Sequence, residues 1–254
     1  ALQKAPGAYS AVSIGLSQPL LLRGAATRIT SWSPLLLPEA SDDTLNRLLA
    51  LYDGDRLLKP ALEAAVKASM VAGEMEPTGV RKRSGGATAH VVSLFEAAGN
   101  FLSRPDGPEL AVVSLEGWDT HVSQNNVIKQ RFTAFDTGLA ALRKSLGKAW
   151  DKTAVVAVSE FGRTVRVNGG QGTDHGTAGL GILAGGAIKG GRMLGDWPGL
   201  GSSALYENRD LAPTLDARGV FKGLLRDHLG WAANDLDATV FPNSASARPV
   251  AGLV

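Results

Sequence analysis

A strand–helix–strand pattern near the middle of the chain constrains its fold more than any other sequence feature. Two short apolar runs, Leu110–Leu115 and Thr153–Val158, have the length and β-branched content of buried strands. Between them, apolar residues recur at alternating spacings of four and three, as on one face of an α-helix: Ile128, Phe132, Phe135, Leu139, Leu142 and Leu146. A helix that joins two apolar strands is typical of a βαβ crossover, so we predict a parallel sheet covered on both faces.

The rest of the pattern also indicates an α/β protein. Strands are predicted at Tyr9–Ile14 and Thr27–Trp32. The predicted helices are Thr44–Met70 with an interruption near Gly54, Thr88–Leu102, and Arg209–Leu229, whose start is either Arg209 or delayed to Pro213. Met75–Gly86 has the composition of a polar linker, and Ala232–Val254 that of a loop-like tail. A chain of 254 residues is long enough for one large domain, and we predict a single α/β domain over residues 1–254.

Composition excludes several classes of function. The 26 basic and 24 acidic residues leave a net charge of +2, which gives no electrostatic case for nucleic-acid binding. The chain has no cysteine, so disulfides, thiolate nucleophiles and cysteine-ligated metal sites are excluded. No apolar run approaches the roughly 20 residues of a transmembrane helix.

The chemistry is expected where polar groups follow the apolar runs. Asp119 and His121 lie just beyond the first run, and Glu160 lies just beyond the second. A glycine-rich loop then brings Asp174 and His175 side by side. Without thiolates, carboxylate and imidazole ligands favour zinc or manganese, and magnesium or calcium stay open. We therefore predict a divalent metal site made by these five residues. A metal-free Asp–His general base is the alternative.

Arg163 is the candidate for binding an anionic group of the substrate, since a guanidinium contacts such groups through two N–H donors. Its alternative role is a salt bridge to Glu160 or another carboxylate. The glycines at positions 169, 170 and 172 lack the following Lys-Ser/Thr of a P-loop, which excludes nucleotide binding there. Ser159 is not in a nucleophile elbow. His90 and His228 are expected to have packing or surface roles.

A set of ordered motifs resembles a known bacterial family. GWDTH followed by Gln124, then SEFGRT, NGGQGTDHG, GGAIKGG and GDWPGL are similar to the domain of unknown function 1501 (DUF1501) family. That family is grouped by similarity with the alkaline phosphatase and sulfatase superfamily. The resemblance implies an alkaline-phosphatase-like three-layer sandwich with a mostly parallel central sheet. It also implies export to the periplasm, because family members often carry an export leader; a cytoplasmic location is the alternative.

The superfamily's metal ligands transfer to several positions of this chain. Asp119 and His121 resemble an acidic ligand and a histidine that follow one strand. Glu160 resembles the acid of a later Asp-His pair, and Phe161 stands in place of that pair's histidine. His175 resembles a third histidine before a strand and a glycine turn.

The superfamily's first-strand aspartate and its Ser or Thr nucleophile have no clear counterpart. Ser84, Thr88 and Ser93 are candidates only because they carry hydroxyls, so the catalytic nucleophile is unassigned. The resemblance implies that the chain is the C-terminal part of a longer polypeptide, whose missing segment or a companion chain completes the site.

The leading hypothesis is a metal-dependent hydrolase of phosphate or sulfate esters. Its rival is a non-catalytic binding or assembly module at the cell envelope that retains the fold, which the absent nucleophile and Phe161 favour. A third hypothesis is a metal-free hydrolase that uses His121 or His175 as its base.

Overall fold

A computed structural model describes residues 11–15, 18–23, 29–33, 41–74 and 86–254, without the side chains of residues 67–74. The chain divides into two compact units, Ala1–Trp118 with Gln130–Gly147, and Asp119–Lys129 with Lys148–Val254. We describe each unit separately, and the single domain over residues 1–254 stays a prediction.

The first unit combines a parallel sheet with helices. Its elements are β1 (Ala11–Ile14), β2 (Ile29–Trp32), α1 (Asp42–Leu51), α2 (Leu58–Glu74), α3 (Ala87–Leu102), β3 (Leu110–Val113) and, from Gln130 onward, α4 (Gln124–Leu146). The strand order is β2-β1-β3, and both ladders are parallel. Ala11 lies opposite Ile29 on one side and Leu110 on the other. All four residues of the central β1 are buried, as expected for a strand covered on both faces.

The helices of this unit follow the sequence pattern closely. α1 and α2 are separated around Gly54, whose φ of +89° favours glycine. α3 and α4 pack through Phe95 and Phe135, whose rings meet edge to face at 5.9 Å. Gly138 permits this approach, because a Cβ there would lie 2.6 Å from the Phe95 ring. The predicted amphipathic helix is therefore confirmed, with Phe135, Leu142 and Leu146 buried.

The second unit is built from short antiparallel ladders and loops. After the first residues of α4 it contains β4 (Val155–Ala157), β5 (Gly162–Arg163), β6 (His175–Gly176), β7 (Ile182–Ala184), α5 (Ala217–Asp227) and α6 (Ala233–Asp235). β4 pairs with β7 and β5 pairs with β6, both antiparallel. A π-helical turn, Leu236–Val240, follows α6, so the predicted loop-like tail contains helical turns.

The predicted βαβ crossover is wrong. β3 pairs with β1, whereas β4 pairs with β7, and no ladder joins β3 to β4 among the residues described. The apolar runs were correctly recognised as strands, but their composition does not specify a partner. The observed fold is mixed α/β with a three-stranded parallel sheet.

The last long helix begins later than the start of the apolar pattern. Arg209 and Leu211 are held in backbone hydrogen bonds with Val165 and Arg163. The helix begins only at Ala217, where the Asp216 side chain caps it by accepting from the Arg218 N–H at 2.9 Å. A delayed start is therefore confirmed, although the helix begins four residues after the predicted position, Pro213. Of the predicted linker Met75–Gly86, only Gly86 lies within the described residues, where it precedes α3.

Candidate metal centre

The candidate site lies within the second unit, and its side chains come from separate chain segments. Asp119 and His121 lie on the segment that leads into α4, and Arg163 lies on β5. Asp174 immediately precedes β6, and His175 is its first residue. β5 and β6 are paired so that Arg163 lies directly opposite His175. This two-residue ladder brings the arginine and the histidine to one place.

The glycine-rich loop is hydrogen-bonded to the segment that carries His121. The Ser123 N–H donates to the Gly170 carbonyl at 2.9 Å, and the Gln124 N–H donates to the Gln171 carbonyl at 3.0 Å. Thr173 Oγ1 donates to Gln124 Oε1 at 2.8 Å. These bonds fix the position of His121 relative to the loop that delivers Asp174 and His175.

Asn168 organises this loop through both ends of its side-chain amide. Its Oδ1 accepts from the N–H groups of Gly170 and Gly172 at 2.9 and 3.1 Å. Its Nδ2 donates to the His121 carbonyl at 3.1 Å and to Asp174 Oδ1 at 2.9 Å. Asn168 is thus a residue of the candidate site that the sequence motifs did not predict. Its position in a glycine-rich loop indicates a turn, and only the tertiary structure shows that its Nδ2 contacts His121 and Asp174.

Three nitrogen atoms converge on one carboxylate oxygen. Asp119 Oδ1 lies 2.8 Å from His175 Nε2, 2.9 Å from His121 Nε2 and 3.0 Å from Arg163 Nη2. The Asp119 and His175 side chains are about half exposed, at 53% and 50%, whereas Arg163 is only 20% exposed. The cluster is therefore open to solvent on the side of the imidazoles.

Asp174 contacts the second ring nitrogen of His121, on the edge of the imidazole away from Asp119. Its Oδ1 lies 3.3 Å from His121 Nδ1, the nitrogen that points away from Asp119. The backbone of Asp174 is held by Thr164, whose Oγ1 accepts from the Asp174 N–H at 3.1 Å. His121 therefore lies between two carboxylates.

The Phe161 ring packs against two side chains of the cluster, those of His175 and Arg163. Its ring stacks on the His175 imidazole at 4.3 Å with an angle of 7°. The Arg163 guanidinium carbon lies 4.7 Å from the centre of the same ring. At the position where the superfamily resemblance implies a histidine ligand, this chain has an aromatic ring that orients His175.

Hydrogen bonds within the cluster hold the pKa of both aspartates below its ordinary value. For Asp119 the main cause is the hydrogen bond from His175, which outweighs desolvation. For Asp174 the main causes are the hydrogen bonds from Asn168 and His121. Both carboxylates are consequently ionised at neutral pH, which is the form that binds cations.

The structure brings three of the five predicted metal ligands together. Asp119, His121 and His175 offer one oxygen and two nitrogen atoms that all lie within 4.8 Å of one another, so these three could hold a metal ion. Two imidazoles and a carboxylate with an open side are the donor set of a zinc site that leaves a position for another ligand. Asp174 and the exposed Glu160 are not members of this group. Arg163, predicted to bind substrate, forms a salt bridge with Asp119 and donates to the Thr173 carbonyl at 2.7 Å.

The remaining candidate residues belong to other parts of the chain. His90 is exposed on α3, and His228 caps the end of α5. Thr88 and Ser93 are on α3 in the first unit, whereas Ser84 lies outside the described residues. A cavity of about 340 Å³ in the first unit is lined in part by Gly15, His90 and Glu116, and none of the cluster's side chains contributes to its wall.

A buried aspartate secures the end of the β5–β6 ladder, and its ionisation is expected to make stability pH-dependent. Asp210 is 3% exposed, accepts from Arg209 Nε at 2.7 Å and accepts from Thr177 Oγ1 at 2.9 Å. The Arg209 hydrogen bond is the main cause that lowers the Asp210 pKa. A lowered pKa stabilises the folded state above the unfolded-state value, about 3.9, and this contribution disappears as the pH falls through the folded-state pKa.

We expect Asp210→Asn to flatten the acid side of the stability profile. Urea unfolding at pH 7 down to pH 3 should show a smaller loss of unfolding free energy in the variant than in the wild type. The exposed Asp196→Asn variant is the control and should keep the wild-type slope. Equal slopes for Asp210→Asn and wild type would contradict the prediction.

Comparison with known proteins identifies the family. A family model described as "Protein of unknown function (DUF1501)" matches residues 18–240. No curated protein and no solved structure matches the chain at a significant level. In the described part of the chain, no helix has both the length and the apolar character that crossing a membrane requires. Since the family match covers most of the sequence, the chain belongs to the DUF1501 family.

Proposed function

We propose that this chain is a metal-dependent hydrolase of phosphate or sulfate esters, with Asp119, His121 and His175 as the metal ligands. The observation that carries the proposal is the convergence of His121 Nε2 and His175 Nε2 on Asp119 Oδ1, at 2.9 and 2.8 Å. Zinc and manganese are the cations that such a mixed nitrogen and oxygen set favours. When bound, the ion supplies Lewis acidity toward an ester oxygen.

The charges of the cluster favour an anionic substrate once a cation is present. With neutral imidazoles, the carboxylates of Asp119 and Asp174 outnumber the guanidinium of Arg163, and the local charge is negative. A divalent cation reverses the sign of this charge, which attracts a phosphate or sulfate ester. Arg163 both fixes Asp119 and adds positive charge on the side where the anion would lie. The half-exposed imidazoles leave room for water, the co-substrate of ester hydrolysis.

His175→Ala is the variant that tests this proposal. Elemental analysis of the purified protein should detect a bound transition metal, and the protein should hydrolyse generic aryl phosphates or aryl sulfates in a metal-dependent manner. His175→Ala removes one ligand and should lower both metal content and turnover by about 100-fold or more. His90→Ala, an exposed histidine of the first unit, is the matched control and should resemble the wild type. A metal-free wild type with activity unchanged in His175→Ala would refute the proposal.

A second candidate is a non-catalytic binding or assembly module that retains the fold. The observation in its favour is that Asp119 is already bonded to three side chains, as in a purely structural network. In that case Asp119→Asn would change stability without affecting any turnover. Ester hydrolysis that is lost in this variant would eliminate the second candidate.

A further inference from the structure

We infer that Asp174 is a positioning residue and not a metal ligand: it holds the His121 ring with its proton on Nδ1 and with Nε2 directed at the metal position. This inference rests on the proposed metal site and specifies how that site is built. It assigns different roles to the two aspartates, although their residue type and position predict both as metal ligands.

The number of protons on His121 limits which of its two carboxylate contacts can be hydrogen bonds. Its Nε2 lies 2.9 Å from Asp119 Oδ1, and its Nδ1 lies 3.3 Å from Asp174 Oδ1. A neutral imidazole has one N–H group, so it can donate to only one of these carboxylates. The other nitrogen presents a lone pair to a carboxylate oxygen, which is favourable only when a cation lies between them. In the metal-bound form that we propose, one nitrogen of His121 therefore faces the ion and the other carries the proton.

The position of His175 indicates which nitrogen of His121 faces the cation. Asp119 Oδ1 is also approached by His175 Nε2 at 2.8 Å, so a second potential nitrogen ligand is present on that side. On the Asp174 side, no further histidine or acidic residue joins a ligand group among the described residues. The Nε2 side thus has the three-residue ligand group, and the Nδ1–H is left to donate to Asp174.

Asp174 is held by hydrogen bonds to both its side chain and its backbone. Asn168 Nδ2 donates to the same Oδ1 atom at 2.9 Å, and the Asp174 backbone N–H donates to Thr164 Oγ1 at 3.1 Å. The Thr164 N–H donates in turn to the Asp174 carbonyl at 3.0 Å. A carboxylate fixed in this way can orient the imidazole that it contacts. Carboxylates in this position fix the tautomer of a ligating histidine and raise its basicity.

Titration with Zn²⁺ in competition with a chromophoric chelator separates a positioning residue from a ligand. Asp174→Asn should weaken Zn²⁺ binding by about 10–100-fold, the range for partners of a ligating histidine. Asp119→Asn should weaken it further, and the exposed Asp196→Asn control should bind as the wild type does. The inference would be overturned if Asp174→Asn bound Zn²⁺ as tightly as the wild type does, or as weakly as Asp119→Asn does. A wild type that binds no Zn²⁺ would instead overturn the proposed function on which it rests.

The tautomer of His121 gives a test that needs no variant at position 174. The chain has four histidines, so long-range ¹H–¹⁵N spectra of the Zn²⁺-loaded wild type can be assigned with single His→Ala variants. We expect His121 to show a proton on Nδ1 and a metal-shifted Nε2 resonance. A proton on Nε2 with Nδ1 shifted by the metal would place the ion beside Asp174 and overturn the inference.

Discussion

Replacing Asp119 with asparagine is expected to lower the affinity for Zn²⁺ by more than the 10–100-fold range that applies to residues outside the ligand set. The substitution removes the negative charge on which His121, His175 and Arg163 converge. It also leaves Arg163 beside a neutral amide, so the cluster loses its attraction for a cation. The affinity is measured by competition with a chromophoric chelator.

Stability should change much less than affinity in Asp119→Asn. The Asp119 side chain is about half exposed, and exposed ion pairs contribute roughly 0–1 kcal/mol. Urea unfolding of the metal-free variant should therefore lie within about 1 kcal/mol of the wild type. Asp196→Asn, another exposed aspartate, controls for loss of charge alone. An Asp119→Asn protein that retains wild-type affinity would contradict the ligand assignment.

Gly172→Ala is expected to be the most damaging single-methyl substitution in the glycine-rich loop. A Cβ at position 172 would lie 2.2 Å from the His121 carbonyl carbon and 2.3 Å from its oxygen. Both atoms belong to the backbone, so the loop must move away from His121 and lose the hydrogen bonds to Asn168. We expect a loss of about 1–3 kcal/mol in unfolding free energy, as for overpacked sites. Zn²⁺ affinity should fall with it, because His121 and the 174–175 pair would separate.

Gly169→Ala is the matched control, three residues earlier in the same loop. A Cβ at position 169 meets no atom within 4 Å. The control should therefore change unfolding free energy by no more than about 0.5 kcal/mol and leave Zn²⁺ affinity intact. Urea unfolding and Zn²⁺ titration of both variants test the pair. Equal behaviour of the two alanine variants would show that close contact with His121 does not position the loop.

Local patterns in the sequence predicted those parts of the fold that depend on local physics. The six-residue apolar stripe marked α4, and the break near Gly54 separated α1 from α2. Both signals depend on helix periodicity or on backbone freedom at one position. The motifs also indicated the family, and they included every side chain of the three-residue ligand group. Residue type and spacing were sufficient for these conclusions.

Strand partners and the geometry of the site could not be obtained in this way. The strands of the second unit have two or three residues, too few for their composition to choose between parallel and antiparallel neighbours. Asp119 and His175 are 56 positions apart, and no periodic pattern links residues at that distance. No local sequence feature distinguished Glu160 from Asp119. Glu160 is exposed and does not belong to the three-residue ligand group, whereas Asp119 contacts both histidines of that group.

The sequence by itself determined which chemical groups this protein has and which helices it forms, because both follow from residue type and short-range spacing. The tertiary structure alone decided that Asp119 receives both imidazoles, that Asp174 faces His121 from the other side, and that Asn168 fixes the loop. Those contacts depend on how backbone hydrogen bonds close the 168–172 loop onto the segment after Asp119. The free energy of such long-range closure is a property of the folded chain and not of any single segment.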